Sequence, residues 1–123
     1  MLSEEVRVRL RGMGIFPTDE GTGKHAVLGN NPFFAFRDSS VEPTDEELDR
    51  LLVIAEAHRS SRFVPAAIDR FWGRGANTIK LWNTARGWRY RCMTFKDPYE
   101  WCPERAFFTL EELSSELLRG KAA

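Results

Sequence analysis

The chain has 123 residues, with 18 basic and 18 acidic side chains and no net charge. That length is one domain, 1–123, large enough to bury about two-thirds of its unfolded surface without staples. No run of about 18 apolar residues exists, which excludes a membrane-spanning helix, and MLSEEVRVRL lacks the apolar stretch of a secretory signal, so the expected location is the cytoplasm with reduced thiols.

Residues 3–11 carry two patterns at once. Val6, Val8 and Leu10 alternate with Arg7, Arg9 and Arg11, as on a strand. Leu2, Val6, Leu10 and Met13 also form a helical stripe, Ser3 before Glu4 and Glu5 is a helix start, and Gly12 or Gly14 can close the helix. The helix is the favoured reading and the strand its alternative. Gly14 to Lys24 reads as a loop. Its Gly21-Thr22-Gly23-Lys24 fails as a phosphate loop, because Thr18 stands where the first glycine is needed and His25 where a Ser or Thr would hold magnesium. His25–Leu28 and Phe33–Arg37 read as a hairpin joined through Gly29-Asn30-Asn31-Pro32, with Phe33, Phe34 and Phe36 as core.

Pro43-Thr44-Asp45-Glu46-Glu47 is the clearest local pattern. Thr44 as N-cap and Glu47 three residues on make a capping box, and Asp45 and Glu46 favour the positive end of the helix dipole. Leu48, Leu51, Leu52 and Ala55 follow at helical spacing, widened by Val53 and Ile54. A helix over 45–58 results, with His58 and Arg59 at its C-terminal end as dipole partners. A second helix is expected over 64–72, opened by Pro65, with Val64, Ile68, Phe71 and Trp72 inward and Gly73 as its end.

The stretch Ala76 to Phe95 reads as a β-hairpin. Ile79 and Leu81 alternate with Lys80 and Trp82, and Trp88, Tyr90 and Cys92 alternate with Arg89 and Arg91. Gly87 suits the positive-φ position of the loop. Pairing Asn83 with Trp88 puts Ile79, Leu81, Trp88, Tyr90 and Cys92 on one face and Lys80, Trp82, Arg89 and Arg91 on the other. Pairing Thr84 with Trp88 would mix the two sets. The first register is preferred because it buries no arginine.

Lys96 to Arg105 reads as irregular, broken at Pro98 and Pro103, with Tyr99 and Trp101 over the sheet. Thr109-Leu110-Glu111-Glu112 is a second capping box, with Phe108 placed to staple onto Leu113. Leu110, Leu113, Leu117 and Leu118 make the apolar face of a last helix that Gly120 closes, and the last three residues are expected to fray. Together these elements predict an α+β fold, an antiparallel sheet of about four strands (two hairpins) with three or four helices packed mainly on one face.

Charge is unevenly spread. Residues 38–57 carry −6, residues 58–96 carry +8, residues 97–123 carry −3 and the first 37 carry +1. The basic hairpin therefore lies between acidic segments, which either leave it open or neutralise it. Cys92 reads as a small buried hydrophobe and Cys102 as an ordinary thiol. His25 and His58 do not fall at finger-like spacing with them, so no metal or other cofactor is expected.

Tryptophan and arginine dominate interface hot spots, and here they are concentrated on one hairpin. The expected function is a non-enzymatic protein-binding module of the inhibitor, immunity or accessory type. It docks on an acidic macromolecular surface through Lys80, Trp82, Arg86, Arg89 and Arg91. Nucleic acid is the alternative partner, met by helix 64–72 with the hairpin as a wing, or by bases stacked on Trp82. A small enzyme without a recognisable motif is the third reading. The oligomeric state is not encoded in any pattern of the chain.

Overall fold

A computed structural model describes residues 2–18, 33–59, 63–65, 76–94, 100–101 and 103–122. Three helices lie within them: α1 (Glu4–Gly12), α2 (Asp45–Arg59) and α3 (Leu110–Leu118). The strands are β1 (Ile15–Pro17), β2 (Phe33–Phe36), β3 (Phe63–Pro65), β4 (Ala76–Thr84), β5 (Gly87–Thr94), β6 (Glu100–Trp101), β7 (Arg105–Phe107) and β8 (Gly120–Ala122).

The main sheet has six strands in the order β1-β2-β4-β5-β6, with β7 also pairing β5. The pairs β1–β2 and β2–β4 are parallel, and β4–β5, β5–β6 and β5–β7 are antiparallel. The α+β class holds, but the sheet is mixed and larger than the expected four antiparallel strands. β2 lies between β1 and β4, so it is not half of a hairpin. The reason is the reach of its connections: parallel neighbours need a crossover, and α2 lies in the one from β2 to β4. A continuous Phe-Phe-Ala-Phe run also suits a central strand buried on both faces better than a half-exposed one. Residues 21–28, which include the glycine-rich turn and His25–Leu28, lie outside the described residues.

Register fixes the layers. Ile15, Phe34, Ile79 and Cys92 stand opposite one another across four strands, and each is buried. They form one core with Leu2, Val6 and Leu10 of α1, Leu48, Leu51 and Ile54 of α2, and Leu110, Leu113 and Leu117 of α3. All three helices therefore contribute to the same apolar face of the sheet.

The local start signals work as expected. Ser3 caps α1 by accepting from the Val6 N–H at 3.3 Å, and Gly14, at φ 82°, takes the left-handed position after its end. The helical stripe of residues 2–13 is buried, while Val8 is left exposed. In α2, Thr44 N–H donates to Glu47 Oε1 at 2.9 Å and Glu47 N–H to Thr44 Oγ1 at 3.2 Å, a closed capping box. Ile54 is fully buried in its stripe and Leu52 packs partly buried against the same core, while Val53 is exposed. Thr109 caps α3 through the Glu112 N–H at 3.2 Å.

Five expectations change. Phe108 does not staple to Leu113; it is 84% exposed. Gly120 does not lead into a frayed end, because residues 120–122 form β8 against β3. Val64 is not the first turn of a helix: it pairs with Lys121 in that small sheet. The fixed φ of Pro65 fits an extended strand end as well as a helix start, and residues 66–72 of the expected helix lie outside the described residues. β1 interrupts the loop expected from Gly14, and β6 the irregular segment expected from Lys96. Tyr99 and Cys102 lie outside the described residues.

Candidate functional site

The β4–β5 hairpin adopts the preferred register, with Asn83 opposite Trp88 and Thr84 opposite Gly87. No described residue other than glycine has positive φ, and Gly87, at φ 114°, carries the left-handed conformation of the turn. The Thr84 hydroxyl accepts from Arg86 N–H at 3.1 Å and donates to the Gly87 carbonyl at 2.9 Å. This hydroxyl thus holds the turn that exposes Ala85 and Arg86.

The segregation of side chains is as read, but the second face is not open. Trp82 is 4% exposed, Lys80 6%, and Ala35 and Thr78 beside them 1% each. Lys80 and Arg91 stand directly opposite, and both have interaction partners. Arg37, which the sequence reading did not select, stacks its guanidinium 4.4 Å above the Trp82 ring. A cation over an indole face is a favourable electrostatic contact, and here it closes over the tryptophan that was expected to face a partner.

Arg89 is committed within the fold. Its Nη1 donates to the Trp88 carbonyl at 2.9 Å and to the Phe107 carbonyl at 3.5 Å, and its Nε lies 3.7 Å from Glu104. It ties β7 to β5. Of the five residues expected to meet a partner, Arg86 is exposed, Arg89 and Arg91 are half-buried, and Lys80 and Trp82 are buried. The acidic helix α2 packs on the apolar face; the carboxylate beside Arg89 comes instead from Glu104.

The opposite face anchors the hairpin to the helices. Trp88 Nε1 donates to Glu47 Oε2 at 2.6 Å, so one carboxylate closes the α2 cap with one oxygen and holds the indole with the other. Tyr90 OH donates to Glu116 Oε2 at 2.5 Å, and Arg105 grips the same carboxylate through Nη2 at 2.6 Å and Nε at 3.1 Å. The Arg105 hydrogen bonds hold the Glu116 carboxyl below the usual carboxylate range. Burial, then the hydrogen bond to Glu116, pushes the Tyr90 phenol up. A tyrosine kept protonated against an ionised carboxylate is a latch between β5 and α3, with Arg105 of β7 as its third member.

His58 is buried at 4% exposure, beyond the role of a dipole partner. Its Nε2 donates to the Leu117 carbonyl at 2.9 Å, and its ring meets Phe34 edge-on at 5.4 Å. Burial lowers its pKa to about 4 despite that carbonyl. It joins the C-terminal turns of α2 and α3.

At the hairpin tip, a Cβ on Gly87 would meet the Phe107 carbonyl at 2.2 Å and the Phe108 backbone at 3.0 Å. The turn therefore presses on the segment that presents Phe108, which among the described residues is the most exposed of the large apolar side chains. Alternation on the hairpin gave no cue to Phe108, which stands in another segment and was expected to staple onto Leu113. Among the described residues no group of acids, histidines and cysteines is arranged to hold a metal ion, and no helix is long and apolar enough to cross a membrane. The chain matches no family model, no curated protein and no solved structure at a significant level.

Proposed function

We propose that the chain is a non-enzymatic protein-binding module, a cytoplasmic inhibitor, immunity or accessory protein that docks on an acidic surface through the β4–β5 hairpin. The observation that carries this reading is the exposed Phe108, its backbone against the turn that offers Arg86. An exposed apolar side chain and an exposed arginine on adjoining segments are the residue types from which an interface hot spot is built. In this reading Arg86 and Phe108 make first contact and Arg91 extends the basic edge. Lys80, Trp82 and Arg89 act from behind, by keeping the hairpin rigid.

The test is capture of a partner from host lysate by the wild-type chain and by the Arg86→Ala, Phe108→Ala double variant. A protein retained by the wild type after nuclease and moderate salt, and weakened at least about tenfold by the double variant, supports the reading. Equal retention by both removes the tip from the site. Capture of only nuclease-sensitive material that salt abolishes moves the reading to nucleic acid, because phosphate neutralisation releases counterions. Stacking of bases on Trp82 has little support, with that ring 4% exposed.

A further inference from the structure

The cleft between α2 and α3 has a different chemistry from the hairpin. Arg50 of α2 faces Glu111, Ser114, Ser115, Leu118 and Arg119 around a volume of about 470 Å³. A second hollow of about 250 Å³, sharing Arg50 and Glu111, is lined by Thr109, Leu110, Glu46 and Glu47, so the first hollow is the less acidic of the two. Ser114 is 2% exposed, and its hydroxyl has no hydrogen-bond partner. A helical serine commonly bonds back to the carbonyl one turn earlier. Here it does not, and a buried hydroxyl left unpaired is a cost that a bound group would remove.

The cations around that hydroxyl hold their acids loosely. Arg50 Nη2 stands 3.8 Å from Glu111 Oε1, and Arg119 Nη2 stands 3.8 Å from Glu116 Oε1. Both distances exceed a hydrogen bond, so these pairs leave guanidinium donors available. Glu116 is already gripped by Arg105 at 2.6 Å. Two guanidiniums and two serines face the cleft together, with Glu111 as the carboxylate on its wall.

We propose that this cleft binds the phosphate group of a small organic phosphate. Arg50 and Arg119 supply the charge, the Ser114 and Ser115 hydroxyls complete the donor set, and the organic remainder runs toward Leu110. Donors arriving from several directions suit a tetrahedral phosphate better than a planar carboxylate. Glu111 opposes the anion and is displaced from Arg50 as it enters. The negative end of the α3 dipole also opposes it, but that field fades within the last turn, so the phosphate sits toward Ser114 and Arg50.

The experiment is titration of the whole chain with glycerol 3-phosphate, inorganic phosphate and acetate at matched ionic strength, followed by amide chemical shifts. The expected result is saturable shifts at Ser114, Ser115 and Arg119 with a Kd of about millimolar for the two phosphates. Arg50→Ala should weaken binding about tenfold, Ser114→Ala should weaken it while raising the melting temperature of the free protein, and Glu111→Gln should tighten it. Vesicles of phosphatidylcholine with and without phosphatidic acid separate the sources: selective binding to the acidic vesicles assigns the phosphate to a lipid headgroup, and its absence to a soluble ester. Shifts that do not saturate, that acetate reproduces, or that Arg50→Ala leaves unchanged overturn the proposal. Arg50 is exposed, so that variant remains informative even if Ser114→Ala disturbs the helix crossing.

Discussion

Trp88 and Trp82 belong to one hairpin, point to opposite faces of it, and are 2% and 4% exposed. Trp88 lies in the apolar cluster, its ring edge-on to Phe36 at 5.9 Å, and the Glu47 carboxylate takes its N–H. Around Trp82 stand Lys80, Arg37 and the strand partner Arg89. The first face is buried because three helices need somewhere to put their leucines. The second is buried although its composition is basic. Polarity alternation therefore tells which residues share a face, and it does not tell whether that face is wet.

The sharpest way to break that comparison is to truncate both sides. Leu113→Ala removes a fully buried side chain from the helix face and should cost about 2–5 kcal/mol by denaturant unfolding. Trp82→Ala should cost about 3–5 kcal/mol if the second face is core in the same sense. A loss under about 1 kcal/mol for Trp82, with the full loss for Leu113, would mean that the basic face opens in solution.

His58 tests the helix side through pH. Its folded pKa, about 4, lies below the ordinary histidine value of 6.5, so the unfolded chain binds more protons between those values. The contribution of the neutral ring is fully present above pH 6.5 and is lost as pH falls toward 4, on the order of 3 kcal/mol in all. Denaturant melts of the wild type and His58→Leu across this window should differ in slope by close to one proton. Parallel pH profiles would show that the ring reaches water.

Gly87→Ala probes the turn that joins the two faces. Its φ of 114° strains any L side chain, and the new Cβ would meet the Phe107 carbonyl at 2.2 Å. The strain and the displaced β7 together should cost about 2–3 kcal/mol. An unperturbed melt would mean that β7 does not bear on the turn.

Much of the fold was legible in the chain. The capping box at Thr44, the serine start of α1 and the hairpin register all depend on residues within a few positions of one another, and all three formed. At Thr109 the hydroxyl caps the Glu112 N–H, while the Glu112 carboxylate meets that hydroxyl at 3.3 Å rather than the Thr109 N–H. What failed needed distant partners. Nothing near Phe33 announces that β1 and β4 flank it in parallel, because that pairing is made through crossovers. Val64 and Pro65 read as a helix start until Lys121 and Gly120 pair with them. For the candidate site, the hairpin was legible and its accessibility was not. Trp82 was selected for exposure on the alternation of its own strand, and the cation over its ring comes from Arg37, in a different segment. Phe108 was lost for the converse reason: a staple position next to a cap predicts burial, but Phe107 takes the inward place, stacked on Tyr90 at 6.1 Å.

Glu47 gives the smallest and most specific test, because its two oxygens serve the two regions separately. Oε1 closes the α2 cap and Oε2 takes the Trp88 indole at 2.6 Å. Glu47→Ala loses both and should cost about 1–2 kcal/mol. Glu47→Gln keeps an oxygen for only one of them, because its other terminal atom is an NH₂ donor that the indole N–H cannot use. If the amide oxygen turns to Trp88, the cap loosens and the tryptophan emission stays in place; if it turns to Thr44, the helix start holds and the emission of Trp88 shifts. Either result with about half the alanine penalty shows the carboxylate serving both regions at once. A glutamine variant as stable as the wild type would mean that the indole contact contributes nothing, and that the apolar packing around Trp88 alone holds the hairpin on α2.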